Sequence, residues 1–141
     1  MLLIDTNVLV NAARKDADDH LRCLAWLDEV YRSRAPFGFT EMIACGFLRI
    51  ISSPRIYSDP TPMDDANAAV YDITSRREFM WLNAGHDHWA IFEKLCKAAN
   101  VRGKLVNDAW IAAIAIEANH ELVTLDKDFA RFSGLRCRFP S

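Results

Sequence analysis

Met1-Leu2-Leu3-Ile4 is an apolar run that ends in Asp5-Thr6-Asn7. A short apolar run closed by polar residues reads as a buried β-strand. Asp5 then stands at the carboxyl end of that strand, where open α/β sheets place their ligands. The pattern nearly recurs at the far end of the chain, where Leu122-Val123-Thr124-Leu125 is closed by Asp126-Lys127-Asp128. If the two strands run parallel in one sheet, Asp5 and Asp126 emerge on the same edge. Two carboxylates facing each other repel unless a cation lies between them, so the pair points to a metal site.

The stretch between those ends alternates strand and helix. A helix is predicted over 18–34, with Leu24, Leu27 and Tyr31 on one face and Arg22 and Glu29 opposite. Pro36 stops it, and Phe37-Gly38-Phe39 reads as a short strand interrupted by its glycine. Thr40 is a good N-cap for a helix carrying Met42, Ile43, Phe47, Leu48 and Ile51, ended by Ser52-Ser53-Pro54. Thr61 or Asp64 caps a helix over 63–76, Phe79-Met80-Trp81-Leu82 is a third strand, and Asp87 caps a helix over 88–100. After the turn Arg102-Gly103-Lys104, residues 107–118 are almost entirely apolar beyond Asp108, as suits a helix packed on a sheet. Asn119 is a left-handed stop. Residues 135–139 form a last strand at the sheet edge, ended by Pro140. This alternation argues for an α/β fold with a mainly parallel sheet and helices on both faces.

The chain has 141 residues, which suggests a single domain over 1–141. A net charge of -2 rules out nucleic-acid binding through bulk charge and leaves local basic patches. No apolar span is long enough for a membrane, and Asp5 breaks any secretory pattern at once. Cys23, Cys45, Cys96 and Cys137 form no C-x-x-C pair. They read as reduced, mostly buried thiols of a cytoplasmic protein.

Four acids stand out by position. Asp5 ends the first strand, Glu41 opens the helix after the second, Asp108 opens the long apolar helix, and Asp126 follows the strand after it. Each sits at a strand end or helix start, so all four can share one sheet edge, where helix N-termini favour negative charge. Oxygen ligands suit Mg²⁺ or Mn²⁺, and two such ions can activate water for phosphodiester hydrolysis. Other roles compete. Asp108 and Glu41 can be helix-start residues, and Asp128 can cap or turn the segment 129–132. Asp5 has little structural reason to be where it is.

Leu-Ile-Asp-Thr-Asn at the start, Asn107-Asp108-Ala109 opening an alanine-rich helix, and Val123-Thr124-Leu125-Asp126-Lys127-Asp128-Phe129 near the end resemble the PIN-domain ribonucleases. More closely, the chain resembles the VapC-type toxins of bacterial toxin–antitoxin pairs, and Gly46-Phe47-Leu48-Arg49-Ile50, Ser53-Pro54-Arg55, His88-Trp89 and Arg102-Gly103-Lys104 resemble one VapC subgroup. The resemblance spans essentially the whole chain. It implies a PIN-like three-layer α/β/α sandwich and a metal-dependent endoribonuclease using Mg²⁺ or Mn²⁺. Asp5, Glu41, Asp108 and Asp126 would be the catalytic and metal-binding acids, supported by Thr6, Asn7, Thr124 and Asp128. It also implies RNA as substrate, a VapB-like antitoxin as partner, and a homodimer. Trp26, Phe47 and Leu48 would be apolar antitoxin contacts.

Arg14, Lys15, Arg49 and Arg55 can contact RNA phosphate; Arg49 can equally serve the antitoxin, and Arg14 and Lys15 can belong to a solvated face. His86-Asp87-His88 has the residue types of a metal pair but reads as a loop and cap. Trp26, Trp81, Trp89 and Trp110 read as core or interface residues. A haloacid-dehalogenase phosphatase would need a second Asp where Asn7 stands, and a receiver domain would need a paired acid that is missing. A non-catalytic binding module on the same fold and a DNA-directed nuclease remain as rival readings.

Overall fold

The structure is a computed structural model describing residues 1–141. Its strands are β1 (Leu2–Ile4), β2 (Phe37–Phe39), β3 (Phe79–Trp81), β4 (Glu121–Val123) and β5 (Arg136–Arg138). Its helices are α1 (Thr6–Ala13), α2 (His20–Ser33), α3 (Glu41–Ile51), α4 (Met63–Thr74), α5 (His88–Ala98) and α6 (Leu105–Glu117), with a 3₁₀ turn at Lys127–Arg131. The sheet order is β3-β2-β1-β4-β5, and every pairing is parallel. Right-handed crossovers put α1–α4 on one face and α5–α6 on the other. Accordingly α1 packs on α2 and α3, α3 on α4, and α5 on α6. This is the three-layer α/β/α sandwich expected, with β5 at one edge. No helix is long and apolar enough to cross a membrane.

The chain leaves β1 toward one face and β4 toward the other. The two strands are neighbours, so a crevice opens between their carboxyl ends. The register is Leu2 with Glu121 and Ile4 with Val123, and the Asp5 amide donates to the Val123 carbonyl at 3.0 Å. Asp5 and Asp126 therefore share one edge because of strand register.

Gly38 belongs in β2. A Cβ there would collide with the Met80 carbonyl oxygen on β3. Only glycine lets the two backbones approach this closely. Gly38→Ala should thus destabilise the fold by ~3 kcal/mol, the upper end for overpacking against an unyielding partner. An unchanged urea midpoint would show that β3 can move away.

Several local expectations are corrected. The core face of α2 is Cys23, Trp26, Leu27 and Val30, and Leu24 is exposed. Neither Thr61 nor Asp64 caps α4. Pro62 holds the cap position, and the Thr61 hydroxyl instead accepts from Arg14 Nη1 at 3.2 Å. Asp87 occupies the α5 cap position without a side-chain bond. Glu117 at the end of α6 reaches across to do that work, accepting from the amides of Gly85 (2.6 Å) and Asp87 (2.7 Å). Cys45 and Cys137 are exposed, so the thiols are not mostly buried. Thr40 does cap α3, accepting from the Ile43 amide at 3.1 Å, and Asn119 does take a left-handed φ of 54°.

Candidate active site

A cleft of about 580 Å³ opens at the carboxyl edge of the sheet. Asp5, Asp108 and Asp126 all line it, with Thr6, Asn7, Arg49 and Lys104 among its other walls.

Asp5 is buried and anchored at both oxygens. Oδ1 accepts from the Thr6 amide at 2.7 Å, and Oδ2 accepts from the Thr124 hydroxyl at 2.7 Å and from Asn7 Nδ2 at 3.0 Å. Asp5 is thus also the N-cap of α1, a structural role not anticipated for it. Asn7 ties the two strand ends together, since its Oδ1 accepts from the Leu125 amide at 3.0 Å. Thr124 relays the order onward by accepting from the Asp126 amide at 3.0 Å. Asp126 Oδ1 in turn accepts from the Asp128 amide at 2.8 Å and starts the 3₁₀ turn. Asp128 is a turn residue held by Arg131 at 3.3 Å, and it does not line the cleft.

Asp108 is the fourth residue of α6, with Lys104 at the cap position, so it caps nothing. Burial first, then the charges of Asp5 and Asp126, push its carboxyl up to about 6, against the opposing pull of Lys104. Burial also raises Asp5, outweighing its hydrogen bonds from Thr124, Thr6 and Asn7. The three carboxylates repel one another across the cleft. No three His, Cys, Asp or Glu side chains are already closed to coordination distance. An all-oxygen donor set carrying uncompensated negative charge fits a hard divalent cation.

Glu41 is not brought into the cleft wall. It is exposed at the first position of α3, while Met42, Cys45, Gly46 and Arg49 of that helix line the cleft. Glu41, Cys45 and Arg49 follow one another at i, i+4 and i+8, so Glu41 begins the ridge that continues into the wall. Gly46 lets that ridge approach α1, since a Cβ would sit 3.3 Å from Thr6 Oγ1.

Other candidates fall elsewhere. Arg14 is committed to Asp16 (2.6 Å) and the Asp59 carbonyl (2.7 Å), and lies 3.9 Å over the Tyr57 ring. Neither Arg14 nor Lys15 nor Arg55 lines the cleft; Arg49 does. Trp26 and Phe47 are core residues and offer no contact to a partner, whereas Leu48 is half-buried. His88 is buried, with Nε2 2.9 Å from the Trp110 carbonyl, and is no metal ligand. Trp81 and Trp89 are exposed. Sequence reasoning missed Cys45 and Lys104 as cleft residues. The helical spacing from Glu41 could have found Cys45. Lys104 was read only as part of a turn, which the fold brings to the acids.

A family model of the PIN domain matches residues 2–135. The chain is similar to ribonuclease VapC31 of Mycobacterium tuberculosis, at 36% identity over 136 residues, covering 96% of each chain. It is 34% identical over 140 residues to the VapC ribonuclease Mb2897 of Mycobacterium bovis, covering 99% of this chain and 95% of the relative. Among solved structures, VapBC2 from Rickettsia felis, bound to a DNA fragment from its promoter, shares the fold with a TM-score of 0.69 at 20% identity. That match covers 98% of this chain and 97% of the other. VapBC-5 of Mycobacterium tuberculosis, a member of the VapBC toxin–antitoxin systems, shares it with a TM-score of 0.56 at 19% identity, covering 97% and 94%. With the acidic crevice between β1 and β4 and these matches along nearly its full length, the chain belongs to the PIN-domain family, among its VapC-type members.

Proposed function

We propose that this protein is a metal-dependent endoribonuclease toxin that hydrolyses RNA phosphodiester bonds and is restrained by a small VapB-like antitoxin. The observation that carries the reading is the convergence of Asp5, Asp108 and Asp126 on one cleft, with Arg49 and Lys104 on its walls. The relatives named ribonucleases support the choice of RNA.

Asp5, Asp108 and Asp126 would hold Mg²⁺ or Mn²⁺, with Glu41 joining from the head of α3. When bound there, the metal supplies activation of water and neutralisation of charge on the phosphate. The protein's own part is positioning. Asn7 and Thr124 fix the Asp5 carboxylate, Thr6 anchors α3 through the Ile43 carbonyl at 3.4 Å, and Asp128 steadies Asp126. Lys104 and Arg49 supply cations to hold the RNA backbone. A homodimer belongs to this reading, and exposed Leu21, Tyr71 and Trp89 offer apolar surface for protein contacts.

The purified protein should cleave single-stranded RNA in Mg²⁺ or Mn²⁺ and stop in excess EDTA. Expression alone should arrest growth, and co-expression of a cognate VapB-like antitoxin should relieve the arrest. Cleavage undiminished by EDTA would remove the metal from the reading, and harmless expression of an active, soluble enzyme would remove the toxin.

A further inference from the structure

A second cavity, of about 410 Å³, lies on the other side of Asp126. Asp126 lines both it and the acidic cleft. Thr124, Lys127, Cys137, Arg138 and Phe139 complete most of its wall. Its size falls within the range of about 300–1,000 Å³ that small-molecule sites occupy.

The chemistry of this wall differs from that of the cleft. Phe139 follows β5 and is 41% exposed, an aromatic face open to solvent. Arg138 pairs with Glu121, Nε to Oε2 at 3.4 Å. Lys127 is exposed and adjoins Asp126 in sequence. An aromatic face beside a cation matches a nucleobase and its phosphate, the pairing that single-strand sites use. The Thr124 hydroxyl, bonded to Asp5 at 2.7 Å and to the Asp126 amide at 3.0 Å, places this wall in register with the acids.

We infer that the cavity beyond Asp126 seats one nucleotide flanking the scissile phosphate, its base against Phe139 and its backbone toward Lys127. The inference rests on the nuclease reading. It adds that the RNA strand crosses the sheet edge over Asp126, from the cleft to the β5 side.

Two native thiols report on this path. Cys45 lines the cleft and Cys137 the second cavity, while Cys96 lines neither and Cys23 is buried. Asp108→Asn provides a slow-cleaving background, because Asp108 makes no side-chain hydrogen bond that the fold would lose. In that variant with Mg²⁺, a single-stranded RNA should slow iodoacetamide labelling of both Cys45 and Cys137, read by mass spectrometry against Cys96. In the same background Phe139→Ala should weaken binding of that RNA about tenfold by fluorescence anisotropy, and Phe139→Trp should restore it. Protection of Cys45 with Cys137 labelled at its free rate overturns the inference and leaves the nuclease intact. Unchanged affinity in Phe139→Ala also overturns it. Protection of neither thiol overturns it too, and the nuclease reading is then judged separately by whether Asp5→Asn still cleaves.

Discussion

Asp5→Asn should slow RNA cleavage at least about a hundredfold, on the order of 3 kcal/mol in the barrier. Three donors converge on the two oxygens of this carboxylate, from Thr6, Asn7 and Thr124. An asparagine at the same place keeps the size and loses the charge. Its amide nitrogen also cannot accept, so it must face either the Thr6 amide or the Thr124 and Asn7 donors. A charged ligand for a hard cation is thus lost together with part of the hydrogen bonding that aims it. The variant's unfolding midpoint and circular dichroism separate loss of site from loss of fold. Cleavage at the wild-type rate by folded Asp5→Asn would place the reaction elsewhere.

The sheet edge was legible because two short apolar runs each end in an acid, and parallel pairing of those runs puts the acids side by side. That inference needed only periodicity and the position of ligands in open sheets. Phe37-Gly38-Phe39 was the weaker strand for the same reason it is an unusual one. Its glycine reads as a strand breaker until the Met80 carbonyl is seen where a Cβ would be. The missed features depend on partners distant in sequence. Nothing near Asp87 reveals that Glu117 caps α5, and nothing near Arg14 reveals that Asp59 and Thr61 consume it. The apolar and basic mixture on the helices flanking the site, together with the resemblance, makes Trp26 and Phe47 candidate antitoxin contacts, because an apolar face in sequence does not show what covers it. Here the protein's own core covers both. Asp108 was open between cap and ligand. The helix begins at Leu105, upstream of it, and that register removes the cap.

The same register makes Asp108 the cleanest carboxylate on which to separate a metal site from a structural acid. Asp5 and Asp126 both accept backbone amides, so Asn at either place alters local hydrogen bonding as well as charge. Asp108 carries charge into the cleft and makes no such bond. Its carboxyl is pushed up to about 6 by burial and by Asp5 and Asp126. An unfolded aspartate titrates near about 3.9. The folded state therefore binds the proton more tightly. The stability this contributes is complete below about pH 4 and is lost as pH rises through about 6. Metal-free wild type should lose stability across that window relative to Asp108→Asn, and above it the variant should be the more stable of the two. Added Mg²⁺ should reverse the order, stabilising wild type by about 2.7 kcal/mol at a hundred times its dissociation constant and the variant much less. Thermal or urea unfolding of both proteins at pH 5 and pH 8, with Mg²⁺ and with EDTA, reads both effects. A variant less stable than wild type in EDTA at pH 8, together with no Mg²⁺-dependent shift in wild type, would make Asp108 a structural residue. The cleft would then lack the repulsion on which a cation site depends.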